Sequence, residues 1–343
     1  MGHEVTCSAF HGQAERTTLY QGIPVVNSDD GRYGATRLRE LAAGADIIVT
    51  LMDIWALPPA ALNAAGVPVV NWIPVDTDPL STLDEQYFRR SRGFPVAMSE
   101  HGGRMLAAAG IDGAAIPYAY DPAVFRPDDG DRARARQDAG LDGTFTIGIN
   151  AAAVERKAWP EQVEAYARLR REHPGDVILL ARTSPEIQHI ARDLGIPPEA
   201  IRWTAPEDTQ AGLASWYRSL DVLCACSLAE GFCLPVLEAQ ACGTPVITTD
   251  APPVSTEAGL PGRHVACEPV WNPMHKAWWH RPSVTALHEA LEAAYAAPAS
   301  ERAAASTAAA AHARKYAISA VAPWWAALLE ERAAAGTFNF QLR

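Results

Sequence analysis

The sequence lacks the features that would tie it to a membrane, a disulfide scaffold or nucleic acid. No apolar run approaches the roughly 20 residues that a transmembrane helix needs. The six cysteines form no Cys-x-x-Cys pair and have no histidine at zinc-ligand spacing, which predicts reduced thiols and no structural zinc. With 29 basic and 40 acidic residues the net charge is −11, so nucleic acid is not an expected partner.

A secretory signal is also missing, because Met1-Gly2-His3-Glu4-Val5 has neither a basic start nor an apolar stretch. We therefore expect a soluble protein of the cytoplasm. Its 343 residues suit about two domains, each large enough to bury its own core.

Short apolar runs alternate with helical patterns along the chain, which is typical of βα units and mainly parallel sheets. The predicted strands cover residues 4–9, 23–26, 46–51, 67–72, 95–99, 115–117, 145–150, 177–181, 201–204, 222–227 and 245–248. The predicted helices cover residues 37–43, 58–65, 84–92, 101–109, 160–172, 185–194, 210–219, 235–241, 284–296 and 300–316. The pattern predicts an α/β protein with two doubly wound domains.

The domain boundary is predicted in residues 121–143, whose Pro, Asp, Gly and Arg content suits an inter-domain connection. This gives an N-terminal Rossmann-like domain over residues 1–128 and a second one over residues 143–316. Residues 317–343 are expected to form a C-terminal helix that packs back towards the N-terminal domain. Trp324 and Trp325 are assigned to an aromatic turn.

The most informative segment combines a strand end, a loop and a helix start. It reads Ser227-Leu228-Ala229-Glu230-Gly231-Phe232-Cys233-Leu234-Pro235-Val236-Leu237-Glu238. A buried strand is predicted to end at Ser227, and Pro235 suits the first turn of the following helix. Loop amides and the helix N-terminus then meet at the carboxyl edge of a parallel sheet, where ligands bind and where a pyrophosphate is favoured.

The two carboxylates of this segment need partners other than phosphate, which would repel them. We expect Glu230 to accept hydrogen bonds from sugar hydroxyls and Glu238 to accept them from a ribose. A site that offers amides to a pyrophosphate and hydrogen-bond acceptors to a sugar and a ribose matches the chemical groups of a nucleotide-sugar. A capping loop with two solvated acids is the alternative, and the completeness of the segment disfavours it.

This segment resembles the retaining GT-B glycosyltransferases of family 4, whose E-x7-E hallmark lies in E-G-F-x-L-P-x-x-E-A-x-A-C-G-x-P-V-I. The spacing from Glu230 to Glu238 fits that hallmark. The resemblance implies two Rossmann-like domains facing a cleft, with a nucleoside diphosphate sugar as donor and no cofactor. It also implies that Glu230 acts in catalysis and that Glu238 and the residues of the loop bind the donor: Gly231, Phe232, Cys233 and Leu234.

At Cys233 the family usually has glycine, so we expect a tilt in the loop without loss of binding. The family's second donor element, G-R-x-x-x-x-K-G, corresponds to part of the stretch from Gly148 to Pro160, where Lys157 matches its Lys and Ala152 replaces its Arg. A departing diphosphate needs cationic or amide stabilisation.

Lys157 and Arg156, the latter supplying the missing charge, are therefore predicted catalytic residues, and Asn150 is a predicted donor-binding residue. We predict no metal in this site. Alone, an Arg-Lys pair before a helix is more often a solvated turn; its position one strand after the predicted connection favours the functional interpretation.

Polar residues near predicted strand ends in the N-terminal half are candidates for the acceptor side. These candidates are Asn71, Asp76, Asp53 and His101. Asn71 stands where the family commonly has His. Its amide can hydrogen-bond a sugar hydroxyl, but it has no ring that could take up or release a proton. Asp76 and Asp78 spell D-x-D, a metal motif of another glycosyltransferase architecture, but they lie outside the predicted donor domain.

Family members begin with a strand, a glycine-rich turn and a helix that ends in a phrase like G-H-E-V. That phrase opens this chain, so roughly 30 residues of a βαβ unit are expected to be missing. A misassigned start codon and a truncated product are both open explanations. A chain without this first strand would also lack the glycine-rich turn that faces the donor phosphate and the acceptor, which would threaten activity.

Three functions follow from these observations. The leading hypothesis is retaining transfer of a hexosyl group to an unknown acceptor, which could be a saccharide, a lipid-linked glycan, a small molecule or a protein. The second is a nucleotide-sugar-binding protein without catalysis. The third is a UDP-sugar epimerase, for which Asp53 and His101 are weak acid and base candidates.

Overall fold

The computed structural model describes residues 2–9, 17–27, 33–35, 38–204 and 209–334. Met1, residue 37 of the first predicted helix, and residues 335–343 of the predicted C-terminal element lie outside the described residues. The chain divides into a first unit, Met1–Ile116 with Met274–Ala277 and Ala322–Arg343, and a second unit, Pro117–Pro273 with Trp278–Val321. The division at Ile116 and Pro117 lies upstream of the segment in which the sequence predicted it.

The described residues of the first unit up to Ile116 contain seven strands and four helices. They are β1 (Cys7–Ala9), β2 (Thr17–Tyr20), β3 (Ile23–Asn27), α1 (Leu38–Leu41), β4 (Ile48–Leu51), α2 (Pro59–Asn63), β5 (Val69–Ile73), α3 (Thr82–Arg90), β6 (Phe94–Ala97), α4 (Glu100–Ala108) and β7 (Ala114–Ala115). Strands β4 to β7 form a parallel sheet in sequence order. Apolar residues of these strands and of helices α2, α3 and α4 form the buried core of this sheet.

A second, three-stranded sheet has the order β1-β3-β2, and its β2 runs antiparallel to β3. Strand β2 was not predicted from the sequence. Gln21 and Gly22 join the two strands with φ of 49° and 82°. Two consecutive left-handed residues are what a tight hairpin turn requires, so this pair was the local signal for the missed strand.

The second unit is built on a six-stranded parallel sheet of order β10-β9-β8-β11-β12-β13. Its elements up to the sixth strand are α5 (Asp129–Asp138), β8 (Phe145–Asn150), α6 (Trp159–Glu172), β9 (Val177–Arg182), α7 (Gln188–Asp193), β10 (Ile201–Thr204), α8 (Gln210–Ser219), β11 (Val222–Ala225), α9 (Leu234–Ala241), β12 (Val246–Thr249) and β13 (Arg263–Val265). The four central strands, β9, β8, β11 and β12, are almost entirely buried, as their apolar runs predicted.

The remaining elements are the paired strands β14 (Cys267–Asn272) and β15 (Ala277–Pro282) and the helices α10 (Val284–Ala296), α11 (Ala299–Ala313) and α12 (Ile318–Ala334). The predicted aromatic turn is wrong, because Trp324 and Trp325 lie inside α12. The Trp325 ring packs edge-on against Trp72, 5.1 Å between centroids. The Arg332 guanidinium stacks on Phe94. Among the described residues, no helix is both long and apolar enough to cross a bilayer.

Residues 121–143, predicted as a connection, contain helix α5 within the second unit. Asp128 caps the helix by accepting a hydrogen bond from the Asp131 amide. Arg132 and Arg136 both form ion pairs with Asp221, at 2.7 and 3.2 Å. This helix buries none of its residues and depends on polar contacts, so its sequence shows no apolar stripe.

Candidate functional site

The strand order of the second unit reverses between β8 and β11. The chain runs outward from β8 to β9 and β10, then returns to add β11, β12 and β13 on the other side of β8. In doubly wound sheets this reversal opens a crevice at the carboxyl ends of the two strands, and ligands bind there. Strand β8 ends at Asn150 and β11 ends at Ala225, so the loops that follow both strands meet at this point.

Those loops bring the predicted residues Glu230, Lys157 and Arg156 into direct contact. The Arg156 guanidinium donates to Glu230 Oε2 at 3.0 Å and to the carbonyl of Ala229 at 2.6 Å. The Lys157 ammonium donates to Glu230 Oε1, which also accepts from the Ser227 hydroxyl at 2.6 Å. A backbone bond from the Leu228 amide to the Arg156 carbonyl, 2.8 Å, holds the two loops together.

The charge of Glu230 is stabilised by its two cationic neighbours. Burial alone would raise the pKa of this carboxyl, but the charges of Lys157 and Arg156, with hydrogen bonds from Lys157 and Ser227, lower the pKa from 4.5 to about 2. Glu230 is therefore ionised at neutral pH although it is only 7% exposed. The three charged groups together leave one net positive charge in the site.

The hydrogen-bonding capacity of Glu230 is nearly used up within the protein. A carboxylate offers about four acceptor positions. Lys157 and Ser227 occupy two on Oε1, and Arg156 occupies one on Oε2. About one position on Oε2 is left for a hydroxyl group of a ligand.

Glu238 stands in a different environment on helix α9. Its Oε2 accepts from the Tyr217 hydroxyl at 2.9 Å, and the Tyr217 oxygen accepts from Asn150 Nδ2 at 2.8 Å. Burial raises the pKa of Glu238 from 4.5 to about 7, against the opposing effects of the Tyr217 hydrogen bond and the charge of Arg182. The predicted donor residue Asn150 is thus connected to Glu238 through a tyrosine.

The loop between these two glutamates presents free amide groups. Within the described residues, none of the backbone amides of 231–234 donates a hydrogen bond. Buried amides without partners are rare, and they are common at sites that bind anions. The Phe232 ring is buried, with Tyr118 at 5.9 Å and Tyr316 at 5.3 Å, so its backbone is the part that a ligand can reach.

Two residues of these loops adopt left-handed backbone conformations that favour glycine. Cys233, just before α9, has φ 74° and ψ 72°, and Ala158, just after Lys157, has φ 45° and ψ 43°. Both occupy glycine positions of the family motifs that the sequence resembles. Each therefore holds strain on the order of 1–2 kcal/mol. Burial and the charge of Glu230 raise the pKa of the Cys233 thiol to about 12, so it stays neutral.

This strain gives a stability prediction for Cys233. Cys233→Gly is expected to be more stable than Cys233→Ala by about 1 kcal/mol. Both variants lose the thiol, but the left-handed backbone is strained for alanine and not for glycine. Urea unfolding followed by tryptophan fluorescence compares the two variants. An alanine variant as stable as the glycine variant would contradict the left-handed geometry at this position.

The acceptor-side candidates occupy three different places in the first unit. Asp53 is exposed after β4, where it accepts from Trp55 Nε1 at 3.1 Å, and Asp76 is half-buried after β5. Both lie near Asp84, because burial and then the charges of Asp76 and Asp53 raise the pKa of the Asp84 carboxyl to about 6.

The other two candidates are buried. Asn71 is buried in the middle of β5, where its Oδ1 accepts from the Thr50 hydroxyl at 3.1 Å. His101 is buried in the first turn of α4, after the capping residue Ser99. Asp53, Asp76 and His101 thus lie two, three and four residues after the ends of β4, β5 and β6, as the sequence suggested, whereas Asn71 lies within its strand.

Sequence reasoning missed three residues of the site in the second unit. Arg182 is the last residue of β9, one position beyond the predicted strand, so the strand-end rule that identified Asn150 could have identified it. Ser227 was noted only as a strand end. Tyr217 lies within helix α8 and reaches Glu238 across the fold, and nothing in its local sequence marks it.

Residues 145–270, which include both loops of this site, match the family model described as Glycosyl transferases group 1. Two of the relatives are D-inositol 3-phosphate glycosyltransferases. That of Segniliparus rotundus is 34% identical over 140 residues, which is 38% of this chain and 30% of the relative. That of Pseudarthrobacter chlorophenolicus is 36% identical over 140 residues, which is 39% of this chain and 33% of the relative. The matched region spans about a third of these relatives.

Solved structures resemble nearly the whole chain. Alr3699/HepE of Anabaena, solved in complex with UDP-glucose, has a TM-score of 0.72 at 17% identity over 90% of this chain and 86% of that one. Sucrose-phosphate synthase of Thermosynechococcus elongatus has a TM-score of 0.76 at 14% identity. The match covers 97% of this chain and 90% of that one. The fold is therefore GT-B, an α/β fold with parallel sheets, as the sequence predicted.

Proposed function

We propose that this protein is a retaining glycosyltransferase that transfers a hexosyl group from a nucleoside diphosphate sugar to an acceptor. The observation that carries the proposal is the buried Glu230 carboxylate, neutralised by Lys157 and Arg156 beside the free amides of residues 231–234. Cations and amides in one crevice suit a diphosphate, and carboxylates with remaining acceptor positions suit hydroxyls. The likeness to a structure solved with UDP-glucose supports a uridine diphosphate sugar as one donor to test.

In this proposal each part of the donor has its own partners. The diphosphate binds the amides of residues 231–234 and the cations Lys157 and Arg156. The ribose hydroxyls donate to Glu238, and a hexose hydroxyl donates to the remaining acceptor position of Glu230 Oε2. Asn150 and Tyr217 act as positioning residues, because their hydrogen bonds fix the Glu238 carboxylate.

The chemical step needs stabilisation of the leaving group. As the bond between the anomeric carbon and the phosphate oxygen breaks, negative charge develops on the nucleoside diphosphate. Lys157, Arg156 and the loop amides are fixed in place before that charge appears, which is how preorganised groups lower a barrier. The acceptor oxygen bonds to the anomeric carbon on the same face and its proton passes to the departing phosphate oxygen.

The same groups supply the positive charge that a divalent ion provides in other transferases, so we propose transfer without a metal. No side chain is assigned as a covalent nucleophile. Positioning and leaving-group stabilisation are sufficient tasks for the protein in a same-face reaction.

A donor-turnover assay tests the proposed function. The untagged chain is incubated with the glucose, mannose and N-acetylglucosamine conjugates of UDP and GDP, and free nucleoside diphosphate is measured with and without pooled acceptors. We expect release from at least one donor, and no release by the Glu238→Ala variant. Tight binding of a donor without any release would instead favour a nucleotide-sugar-binding protein, and appearance of an epimeric sugar nucleotide would favour an epimerase.

A further inference from the structure

A cluster of two histidines and two glutamates lies where helix α6 ends against helix α10, in the second unit. Glu172 is the last residue of α6, and His173 follows it at the helix end. His288 and Glu292 stand four positions apart on α10, so their side chains share one face of that helix. Histidine and carboxylate groups from two helices thus converge away from the loops of the proposed donor site.

The four side chains form two cross-helix pairs. His173 Nε2 lies 2.7 Å from Glu292 Oε2, and His288 Nε2 lies 3.0 Å from Glu172 Oε2. Potential ligand atoms of Glu172, His173 and Glu292 all lie within 4.8 Å of one another. Donor atoms around a tetrahedral zinc ion are about 3.3 Å apart, so these three groups need only small movements to reach bonding positions, and His288 adjoins them through its contact with Glu172.

The surroundings favour a bound cation. Asp176 adds a third carboxylate nearby, since it accepts from the Tyr295 hydroxyl at 3.3 Å, and the Tyr295 ring packs on the His173 imidazole with centroids 4.2 Å apart. The ring contact restricts the imidazole, as neighbours of metal ligands commonly do. The side chains are 18–52% exposed, so an ion has a path to them.

We propose that His173, His288, Glu172 and Glu292 bind a divalent transition metal ion of the Zn²⁺ type. Two imidazoles with carboxylates are the donor set that suits Zn²⁺, whereas Mg²⁺ and Ca²⁺ prefer oxygen ligands alone. Each imidazole that binds through Nε2 carries its remaining proton on Nδ1. The ion replaces the two hydrogen-bonded pairs by bonds that link α6 to α10.

This site has a structural role that is separate from the proposed transfer reaction. Ligands come from the end of α6 and from α10, so the ion binds the folded unit and has no assembled site in the unfolded chain. Binding of that kind raises the free energy of unfolding by mass action. We therefore expect Zn²⁺ to raise the melting temperature of the protein.

Calorimetric titration of the untagged chain with ZnCl₂ tests the proposal. Cys7 is exposed and Cys267 partly buried, so Cys7→Ser and Cys267→Ser form the background and remove competing thiols. We expect one Zn²⁺ per chain, at least tenfold weaker binding when His173→Ala and His288→Ala are added, and unchanged binding for the matched His189→Ala control. Melting curves should shift with Zn²⁺ in the background chain and not in the double-histidine variant.

Two results would overturn the site: no saturable Zn²⁺ binding by the background chain, or equal affinity after both histidines are replaced. Should the double-histidine variant fail to fold, Glu172→Gln with Glu292→Gln retains both histidines and is expected to show the same loss of affinity. Visible absorption of bound Co²⁺ then reports whether nitrogen and oxygen ligands surround the ion. Intense absorption is expected for four-coordinate binding, and the weak spectrum of hydrated Co²⁺ would contradict it.

Discussion

Replacing Lys157 by methionine is expected to lower donor turnover by about 10²- to 10³-fold and the free energy of unfolding by about 3 kcal/mol. The loss of turnover follows from the proposed role of Lys157 in stabilising the departing diphosphate. The loss of stability follows from the structure, because Lys157 is one of two cations that neutralise the buried Glu230 carboxylate. Methionine retains much of the apolar volume but none of the charge.

The pH dependence of stability separates this effect from a general packing defect. With a pKa of about 2 in the folded state against 4.5, Glu230 contributes ~3 kcal/mol above pH 4.5, and this contribution is lost as the pH falls towards 2. Without Lys157 the folded-state pKa rises, so the stability gained between pH 2 and 4.5 shrinks. Urea unfolding across this pH range measures the change.

Arg192→Met is the matched control, since Arg192 is an exposed cation of the same unit whose ion-pair partner Asp193 is also exposed. It should leave turnover and stability within experimental error of the wild type. A Lys157→Met variant that retains wild-type turnover would remove Lys157 from the proposed mechanism. One that retains the full acid dependence of stability would contradict its ion pair with Glu230.

Replacing Glu238 by glutamine is expected to stabilise the protein at pH 8 by up to ~3 kcal/mol while weakening nucleotide binding. Burial raises the pKa of Glu238 to about 7, so ionising this carboxyl at higher pH costs folding free energy. Glutamine cannot ionise, and its amide oxygen can still accept from the Tyr217 hydroxyl. If a substitution at a binding residue stabilises the protein, the native residue is present for ligand binding and not for stability.

The sign of the pH dependence follows from a raised carboxyl pKa. The favourable contribution of neutral Glu238 is fully present below pH 4.5 and is lost as the pH rises through about 7. Wild type and Glu238→Gln should therefore unfold at similar urea concentrations at pH 4 and diverge towards pH 8. Glu199→Gln, at an exposed position of the same unit, is the control and should show no divergence.

A result in which Glu238→Gln is less stable than the wild type at pH 8 would contradict the raised pKa. Equal stability of the two proteins across the pH range would mean that the carboxylate is better solvated than its surroundings indicate. The prediction concerns the unliganded protein. Ribose hydroxyls that donate to the ionised carboxylate would lower its pKa, so nucleotide binding is expected to release protons near pH 6–7.

The sequence predicted the second unit better than the first. Buried parallel strands appear as continuous apolar runs, and the loop after β11 carries a dense local motif, so Glu230 and the start of α9 could be located from sequence alone. Helix α5 lacks an apolar stripe because Arg132 and Arg136 hold it to Asp221, about ninety positions later in the chain. Contacts of that separation leave no periodic signal.

The same limit applies to the chemistry of the site. Sequence placed Lys157 and Glu230 in the loops after two predicted strands, and the structure makes those strands neighbours and brings the two side chains into contact. The sequence could not show that most of the acceptor positions of Glu230 are occupied by donors of the protein. It also could not show that Tyr217 connects Asn150 to Glu238. Nor could it pair His173 with Glu292, since each lies in an ordinary helical pattern and only the packing of α6 against α10 unites them.

Calorimetric titration of UDP and GDP into the wild-type chain and Glu238→Ala tests most directly whether this site binds a nucleotide-sugar donor. One of the two nucleotides is expected to bind with a stoichiometry of one, and Glu238→Ala should bind it at least tenfold more weakly, a loss of about 1.4 kcal/mol or more. The Glu199→Ala control should bind as the wild type does. Absence of binding by either nucleotide, or equal affinity in Glu238→Ala, would contradict the assignment of Glu230 and Glu238 to a donor site.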